Sequence, residues 1–101
     1  FPTDSYSFFG FPPHKKSRNA FFKTVSETMH TVVIFESKHR IEKTLGELEE
    51  KIGERKVCVG RELTKMHETI YRGTAAEVTK QLKSSSMKGE FVIVIAPINF
   101  V

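Results

Sequence analysis

Residues 31–60 read TVVIFESKHRIEKTLGELEEKIGERKVCVG, and this stretch decides the fold. It opens on a short apolar run from Thr31 to Phe35, rich in β-branched residues, which is typical of a strand buried on both faces. Isoleucine and leucine then recur in a four-three-four rhythm, with charged residues between them, at positions 41, 45, 48 and 52. That spacing predicts an amphipathic helix, with Ser37 as its N-cap and Gly53 as its stop. A further apolar run, residues 56–60, predicts the strand that follows the helix.

The chain before this unit predicts one more strand and one more helix. Tyr6 to Phe11 is typical of a short strand, closed by Gly10 and two prolines that cannot donate to a sheet. From Ser17 a helix is predicted, because apolar residues share one face: Phe21, Phe22, Val25 and Met29. Six of the nine phenylalanines lie in the first 22 residues, so this segment needs a large apolar partner surface.

The chain after this unit predicts two strands and a third helix. Residues 69–72 form a short strand, and Thr74 with Glu77 forms the capping box of a helix that ends near residues 84–86. Residues 91–95 are a continuous apolar strand, stopped by Pro97. The order β-α-β-α-β-β-α-β predicts the α/β class, with a mostly parallel sheet covered by helices, right-handed crossovers, and an antiparallel partner where two strands follow each other directly.

The composition is that of one globular domain. With 101 residues, of which 39% are hydrophobic, the chain is long enough for one layered core. Cys58 is the one cysteine, and its apolar neighbours favour a small buried side chain over a nucleophile. Because no disulfide is required, we expect a cytoplasmic protein. The chain opens on Phe1 without a secretory signal, so we expect it to be part of a longer protein.

Two loops carry more polar chemistry than a simple connection needs. Residues 36–40 and 61–68 each follow the end of a predicted strand, and ligands bind at the carboxyl ends of strands in open α/β sheets. We therefore expect both loops at one edge of the sheet. Surface ion pairs, such as Arg40 with Glu36, are the alternative interpretation. His67 and Glu68 lack further ligands at suitable spacing, so no metal site is predicted.

A third loop is basic and contains no carboxylate. Its cationic residues are His14, Lys15, Lys16 and Arg18. A loop of this kind attracts phosphate, but the solvated entrance of an ordinary helix has the same composition. Both interpretations stay open on the residues alone.

Six short motifs run in order along the chain. They are Pro2-Thr3-Asp4, Phe9-Gly10-Phe11 with Pro13 and Lys15, Phe35-Glu36-Ser37 with His39-Arg40, Arg61-Glu62-Leu63-Thr64-Lys65 with His67-Glu68, Arg72-Gly73-Thr74, and Lys88-Gly89-Glu90-Phe91. In these motifs the sequence resembles the tetrapyrrole (corrin/porphyrin) methylase superfamily. Within it, the sequence is most similar to the branch that methylates a cytidine ribose 2′-hydroxyl in small-subunit ribosomal RNA.

The resemblance implies a specific architecture and activity. Residues 1–101 would form the C-terminal domain of a two-domain methyltransferase, a single domain with a five-stranded mixed sheet flanked by helices. S-adenosylmethionine would bind in the cleft shared with an N-terminal domain outside this chain. We therefore expect a homodimeric cytoplasmic enzyme when full length, and an inactive domain when these residues stand alone.

The resemblance also assigns site residues. It places cofactor contacts on Glu36 and Leu63, with Ser37, Glu62 and Thr64 along the same wall, and favours backbone contacts because relatives carry other side chains there. The catalytic base is not identified, although Glu62, Lys65 and His67 are nearby. His14, Lys15, Lys16 and Arg18 would contact RNA phosphates. Two departures from the ribosomal branch, Pro12 and Lys38, lie in loops that affect substrate preference.

Two other functions compete with this expectation. One is a methyltransferase that acts on a carbon of a tetrapyrrole precursor, whose carboxylates would also suit a basic loop. The other is a non-catalytic binding or dimerisation module, which the Phe-rich opening segment would serve.

Overall fold

The computed structural model describes residues 6–64, 67–83 and 89–98, and the side chains of these except at 62–64, 67 and 68. Its elements are β1 (Tyr6–Gly10), α1 (Arg18–Glu27), β2 (Thr31–Ser37), α2 (Ile41–Ile52), β3 (Val57–Thr64), β4 (His67–Gly73), α3 (Ala75–Lys83) and β5 (Glu90–Ile95). The predicted order of strands and helices, and the α/β class, are confirmed.

The five strands form one mixed sheet in the order β1-β2-β5-β3-β4. β1 pairs in parallel with β2, whereas the pairs β2–β5, β5–β3 and β3–β4 are antiparallel. The prediction of a mostly parallel sheet is therefore wrong. The physical reason is the position of β5, which separates β2 from β3 although these two strands run in the same direction. The mixed five-stranded sheet that the resemblance implies is confirmed.

All three helices pack on one face of the sheet. α2 contacts both α1 and α3. The fully buried residues Ile34, Ile93 and Val59 are cross-strand neighbours on the face that the helices cover. Handedness accounts for this arrangement. The connections through α1 and α2 cross the sheet in the direction from β1 towards β4, whereas the connection through α3 runs back from β4 to β5. The strands that α3 joins, β4 and β5, are also antiparallel to β1, β2 and β3. Right-handed crossovers therefore place every helix on the same side.

The opposite face of the sheet is not covered by any helix of the described residues. Phe8, Ile70 and Val92 are exposed there, and Val33 and Phe35 are only half-buried. The prediction that β2 is buried on both faces is therefore wrong. The Phe-rich opening segment divides between the two faces: Phe8 packs edge-on against Phe35, whereas Phe9 packs against Phe21 beside the core.

Three local predictions are corrected by the structure. α1 ends at Glu27, so Met29 lies beyond the helix and is exposed rather than on its apolar face. Ser37 is the last residue of β2, and Arg40 occupies the N-cap position of α2 without a side-chain cap. Cys58 is half-buried rather than buried, because it faces the uncovered side of the sheet. Gly53 does end α2, at a positive φ of 57° that favours glycine.

The predicted capping box of α3 is confirmed. The Thr74 N–H donates to Glu77 Oε1 at 2.8 Å, and the Glu77 N–H donates to Thr74 Oγ1 at 3.2 Å. These hydrogen bonds hold the pKa of Glu77 below its ordinary value of 4.5, the backbone bond contributing most. Gly73 is required before the box, because a Cβ at this position, with φ of 142°, would lie 2.8 Å from Glu77 Oε1.

The capping box predicts a pH-dependent stability. The pKa of Glu77 is lower in the folded chain than in the unfolded chain, so ionised Glu77 stabilises the fold above pH 4.5. This stabilisation is lost as the pH falls through the pKa of the folded chain, because the carboxylate becomes protonated. We expect Glu77→Gln to reduce the free energy of unfolding at pH 7, and the difference from wild type to shrink towards pH 3. Urea unfolding across this range measures it, with the exposed Glu54→Gln as the matched control. A difference that stays constant with pH would contradict the prediction.

Candidate functional site

Strands β1, β2 and β3 end at the same edge of the sheet, called here the carboxyl edge. In β5, Phe91 pairs with Glu36 of β2 on one side and with Arg61 of β3 on the other. The preceding residue of β5, Glu90, pairs with Ser37 and Glu62 in the same way. The expectation that the two polar segments share one edge of the sheet is therefore confirmed, but the prediction that residues 61–68 form a loop is wrong, because residues 61–64 continue β3 and β4 begins at His67. Because each strand spacing is about 4.8 Å, the backbones of Ser37 and Glu62 are separated by roughly 10 Å.

The side chain of Glu36 faces the helices, not the carboxyl edge. It is 2% exposed, its Oε1 accepts the Ser37 N–H at 2.7 Å, and its Oε2 accepts the Thr44 hydroxyl at 2.5 Å. The alternative pairing of Glu36 with Arg40 is not the observed arrangement, since Arg40 contacts His14. Because this carboxylate is buried and both its oxygens accept hydrogen bonds within the domain, its observed role is to connect β2 with α2.

Arg18 is at the centre of a buried polar network with Glu36. It is 5% exposed, and its Nε and Nη2 donate to the Glu47 carboxylate at 2.8–3.2 Å. Its Nη2 also donates to Thr44 Oγ1 at 3.0 Å, and its Nη1 to the Pro13 carbonyl oxygen at 2.7 Å. The network therefore connects the end of β2, helix α2 and the basic loop.

The other residues predicted for phosphate contacts lie apart from Arg18. His14, Lys15 and Lys16 are exposed, whereas Arg18 lies beneath their loop and holds it through Pro13. Thr44 and Glu47, the side chains that pair with the buried Arg18, were not predicted as functional residues. The available signal was Thr44, a polar residue at a core-facing position of α2 between Ile41 and Leu48.

Ser37 offers a polar group at the carboxyl edge. Its Oγ is enclosed and has no hydrogen-bond partner among the described residues. A buried hydroxyl in this state has unused donor and acceptor capacity, which a polar ligand can satisfy.

The cofactor residues predicted on β3 lie at a backbone irregularity. The pairing of β3 with β4 shifts register between Glu62 and Thr64, which places a bulge at Leu63. Bulges redirect the strand and are enriched beside active sites. Of the nearby candidates for a base, Lys65 lies outside the described residues, as do the side chains of Glu62 and His67.

The part of the chain that the structure describes has neither a cluster of metal ligands nor a membrane-spanning helix. No group of three or more His, Cys, Asp or Glu side chains in residues 6–64, 67–83 and 89–98 could hold a metal ion. Within the same part of the chain, no helix has the length and apolarity needed to cross a membrane.

Comparison with known proteins identifies the family. The family model for Tetrapyrrole (Corrin/Porphyrin) Methylases matches residues 3–79. The chain belongs to this family. The resemblance seen in the six motifs is thereby confirmed, and the carboxyl edge is the edge of a tetrapyrrole methylase sheet.

Among curated members of the tetrapyrrole methylase family, the chain is similar to several proteins named ribosomal RNA small subunit methyltransferase I. It is 37% identical over 95 residues to that of Halalkalibacterium halodurans, covering 93% of this chain and 33% of the relative. It is 39% identical over 100 residues to that of Hydrogenobaculum sp., covering 97% and 43%. For the Thermotoga maritima protein the identity is 33% over 96 residues, covering 95% and 43%. The chain thus spans less than half the length of these relatives.

A solved structure shares the fold of this tetrapyrrole methylase chain. The cobalt precorrin-4 methyltransferase of cobalamin biosynthesis superposes with a TM-score of 0.63, covering 93% of this chain and 41% of its own. At 16% sequence identity, this likeness concerns the fold alone.

Proposed function

We propose that this chain is the C-terminal domain of an S-adenosylmethionine-dependent methyltransferase that modifies a cytidine ribose 2′-hydroxyl in small-subunit ribosomal RNA. The observation that carries the proposal is the set of relatives named ribosomal RNA small subunit methyltransferase I. They are 33–40% identical to this chain and align with 88–97% of it. The choice of cytidine and of the 2′-hydroxyl follows the resemblance of the sequence motifs to that branch.

The proposal places a second domain beside this one. The relatives are more than twice as long as the matched region, which supports at least one further domain. The position of the cofactor between two domains follows the resemblance of the sequence motifs. In this proposal the N-terminal domain completes the cofactor site, the full-length enzyme is a cytoplasmic homodimer, and residues 1–101 alone do not catalyse methyl transfer.

The carboxyl edge fits a polar cofactor. The Ser37 hydroxyl is enclosed and lacks a partner among the described residues, so it suits a ribose, amino or carboxylate group of S-adenosylmethionine. Ser37 and the backbones of Glu36, Glu62, Leu63 and Thr64 would hold the cofactor. Once bound, S-adenosylmethionine supplies a methyl group on a sulfonium, which is a good leaving group.

The chain itself then has two tasks, to position the acceptor hydroxyl and to help remove its proton. Glu62, Lys65 and His67 follow the carboxyl edge of β3 and stay the candidates for the proton acceptor. His14, Lys15 and Lys16 are exposed and suit RNA phosphates, which position a nucleic acid without reading its bases. Arg18 contributes indirectly, by fixing the loop that carries them.

Methylation of small ribosomal subunits tests the proposal. We expect the full-length protein to label a single cytidine in subunits from a strain that lacks the gene, using S-adenosylmethionine with a labelled methyl group. Lys15→Ala/Lys16→Ala should weaken RNA binding and flatten the plot of log affinity against log salt by about 1.4 if each lysine contacts a phosphate.

The matched control is Lys51→Ala, which removes an exposed charge at the far end of α2. The Lys51→Ala variant should leave the slope of log affinity against log salt unchanged. Label found only in a uroporphyrinogen-type tetrapyrrole would refute the ribosomal proposal and support the tetrapyrrole alternative. Absence of label from both substrates would support the non-catalytic alternative.

A further inference from the structure

We infer that the loop between β2 and α2, residues 38–40, binds RNA phosphates together with the basic loop after β1. The two loops form one surface, called here the cationic surface, made of His14, Lys15, Lys16, Lys38, His39 and Arg40. The inference rests on the proposed function, because it assigns where the substrate RNA lies.

The two loops form a single surface because they follow neighbouring parallel strands and contact each other. β1 and β2 are parallel neighbours, so the loops that follow them leave the sheet side by side at the carboxyl edge. Arg40 Nη2 lies 3.3 Å from His14 Nδ1, which joins the loops at the surface. Cations in either loop therefore act on the same ligand.

No exposed carboxylate lies within these loops. Residues 11–17 and 37–40 contain three lysines and one arginine but neither Asp nor Glu. Of the acidic residues around them, Glu36 is buried, and Glu47 pairs with Arg18 at 2.8 Å. Exposed carboxylates lie at the margins of these loops, with Glu42 as the second residue of α2 and Glu90 paired with Ser37 in the sheet. The three lysines and Arg40 therefore give this surface an excess of positive charge, which a polyphosphate backbone complements.

An exposed aromatic ring indicates a nucleic acid rather than a small anion. Phe11 opens the basic loop, is 60% exposed, and packs edge-on against Phe35 at 5.7 Å between ring centroids. Aromatic rings beside basic side chains stack the unpaired bases of RNA while the cations bind its phosphates. The positive end of the α2 dipole adds to the potential of the same surface.

The test measures RNA binding separately from methylation. In the full-length protein, Lys38→Ala/Arg40→Ala should raise the Kd for a small-subunit ribosomal RNA transcript about tenfold and flatten the salt slope by about 1.4, as expected for two lost phosphate contacts. The single variant Lys38→Glu leaves Arg40 in place and should weaken binding in the same direction. Lys23→Ala/Lys51→Ala, which removes two exposed charges from the outer faces of α1 and α2, is the matched control and should bind like wild type.

The outcomes separate this inference from the proposed function. If wild type methylates the RNA but neither variant at Lys38 changes the Kd or the slope, residues 38–40 do not bind RNA and the proposed function stands. If wild type neither binds nor methylates the RNA, the proposed function and the inference both fail. A flattened slope in the Lys38 variants, with the control unchanged and equal melting temperatures, supports the inference.

Discussion

Arg18→Ala is expected to lower the free energy of unfolding by about 3 kcal/mol, the lower end of the range for breaking a buried ion pair. Truncation leaves Glu47 without its cation, and removes the donors to Thr44 Oγ1 and the Pro13 carbonyl. The lower end applies because the Glu47 side chain is 30% exposed and keeps some contact with water. Urea unfolding of the 101-residue chain, followed by circular dichroism, measures the change.

Two further variants distinguish the network from a general effect of charge. Lys16→Ala removes an exposed cation from the same loop and should change the stability by less than about 0.5 kcal/mol. Arg18→Ala/Glu47→Ala removes both charges and should be more stable than Arg18→Ala alone, because no carboxylate is left unpaired. Equal stability of Arg18→Ala and wild type would show that the network does not hold the loop.

Phe91→Ala is expected to have the largest effect of any single truncation, a loss of about 3–5 kcal/mol. Phe91 is fully buried in the central strand, and its backbone pairs with Glu36 on one side and Arg61 on the other. A domain of this size has a total stability of about 5–15 kcal/mol, so the variant should be marginally folded.

The neighbouring residue is the natural control for Phe91. Val92 belongs to the same strand but faces the uncovered side of the sheet and is 37% exposed. Val92→Ala should therefore cost about 1 kcal/mol or less. Similar losses for both variants would mean that the uncovered face contributes as much to stability as the helix-covered face.

The order of elements could be predicted because each element has its own local pattern. The spacing of Ile41, Leu45 and Leu48 specifies α2, and the pair Thr74 and Glu77 specifies the start of α3. The strand order could not be predicted in the same way. The apolar run at 91–95 is compatible with parallel or antiparallel neighbours, and only long-range pairing decides that it lies between β2 and β3.

The placement of the candidate residues at one edge of the sheet could be predicted, whereas their contacts with a cofactor stay predictions. The resemblance implied cofactor contacts at Glu36, Ser37 and Leu63, and the structure places the backbones of all three at the carboxyl edge. The burial of Arg18 was not predicted, because the sequence HKKSR does not distinguish a core arginine from a surface lysine. That distinction depends on Thr44 and Glu47, which lie 26 and 29 residues further along the chain.

The place of β5 in the sheet also bears on how the chain is made. It is the last strand in the sequence, yet it lies at the centre. Until residues 90–95 leave the ribosome, the sheet consists of two separate ribbons, β1–β2 and β3–β4, and two-stranded ribbons are marginally stable in water. Assembly of the sheet must therefore wait for β5, and a chain broken off before residue 90 cannot join the ribbon β1–β2 to the ribbon β3–β4.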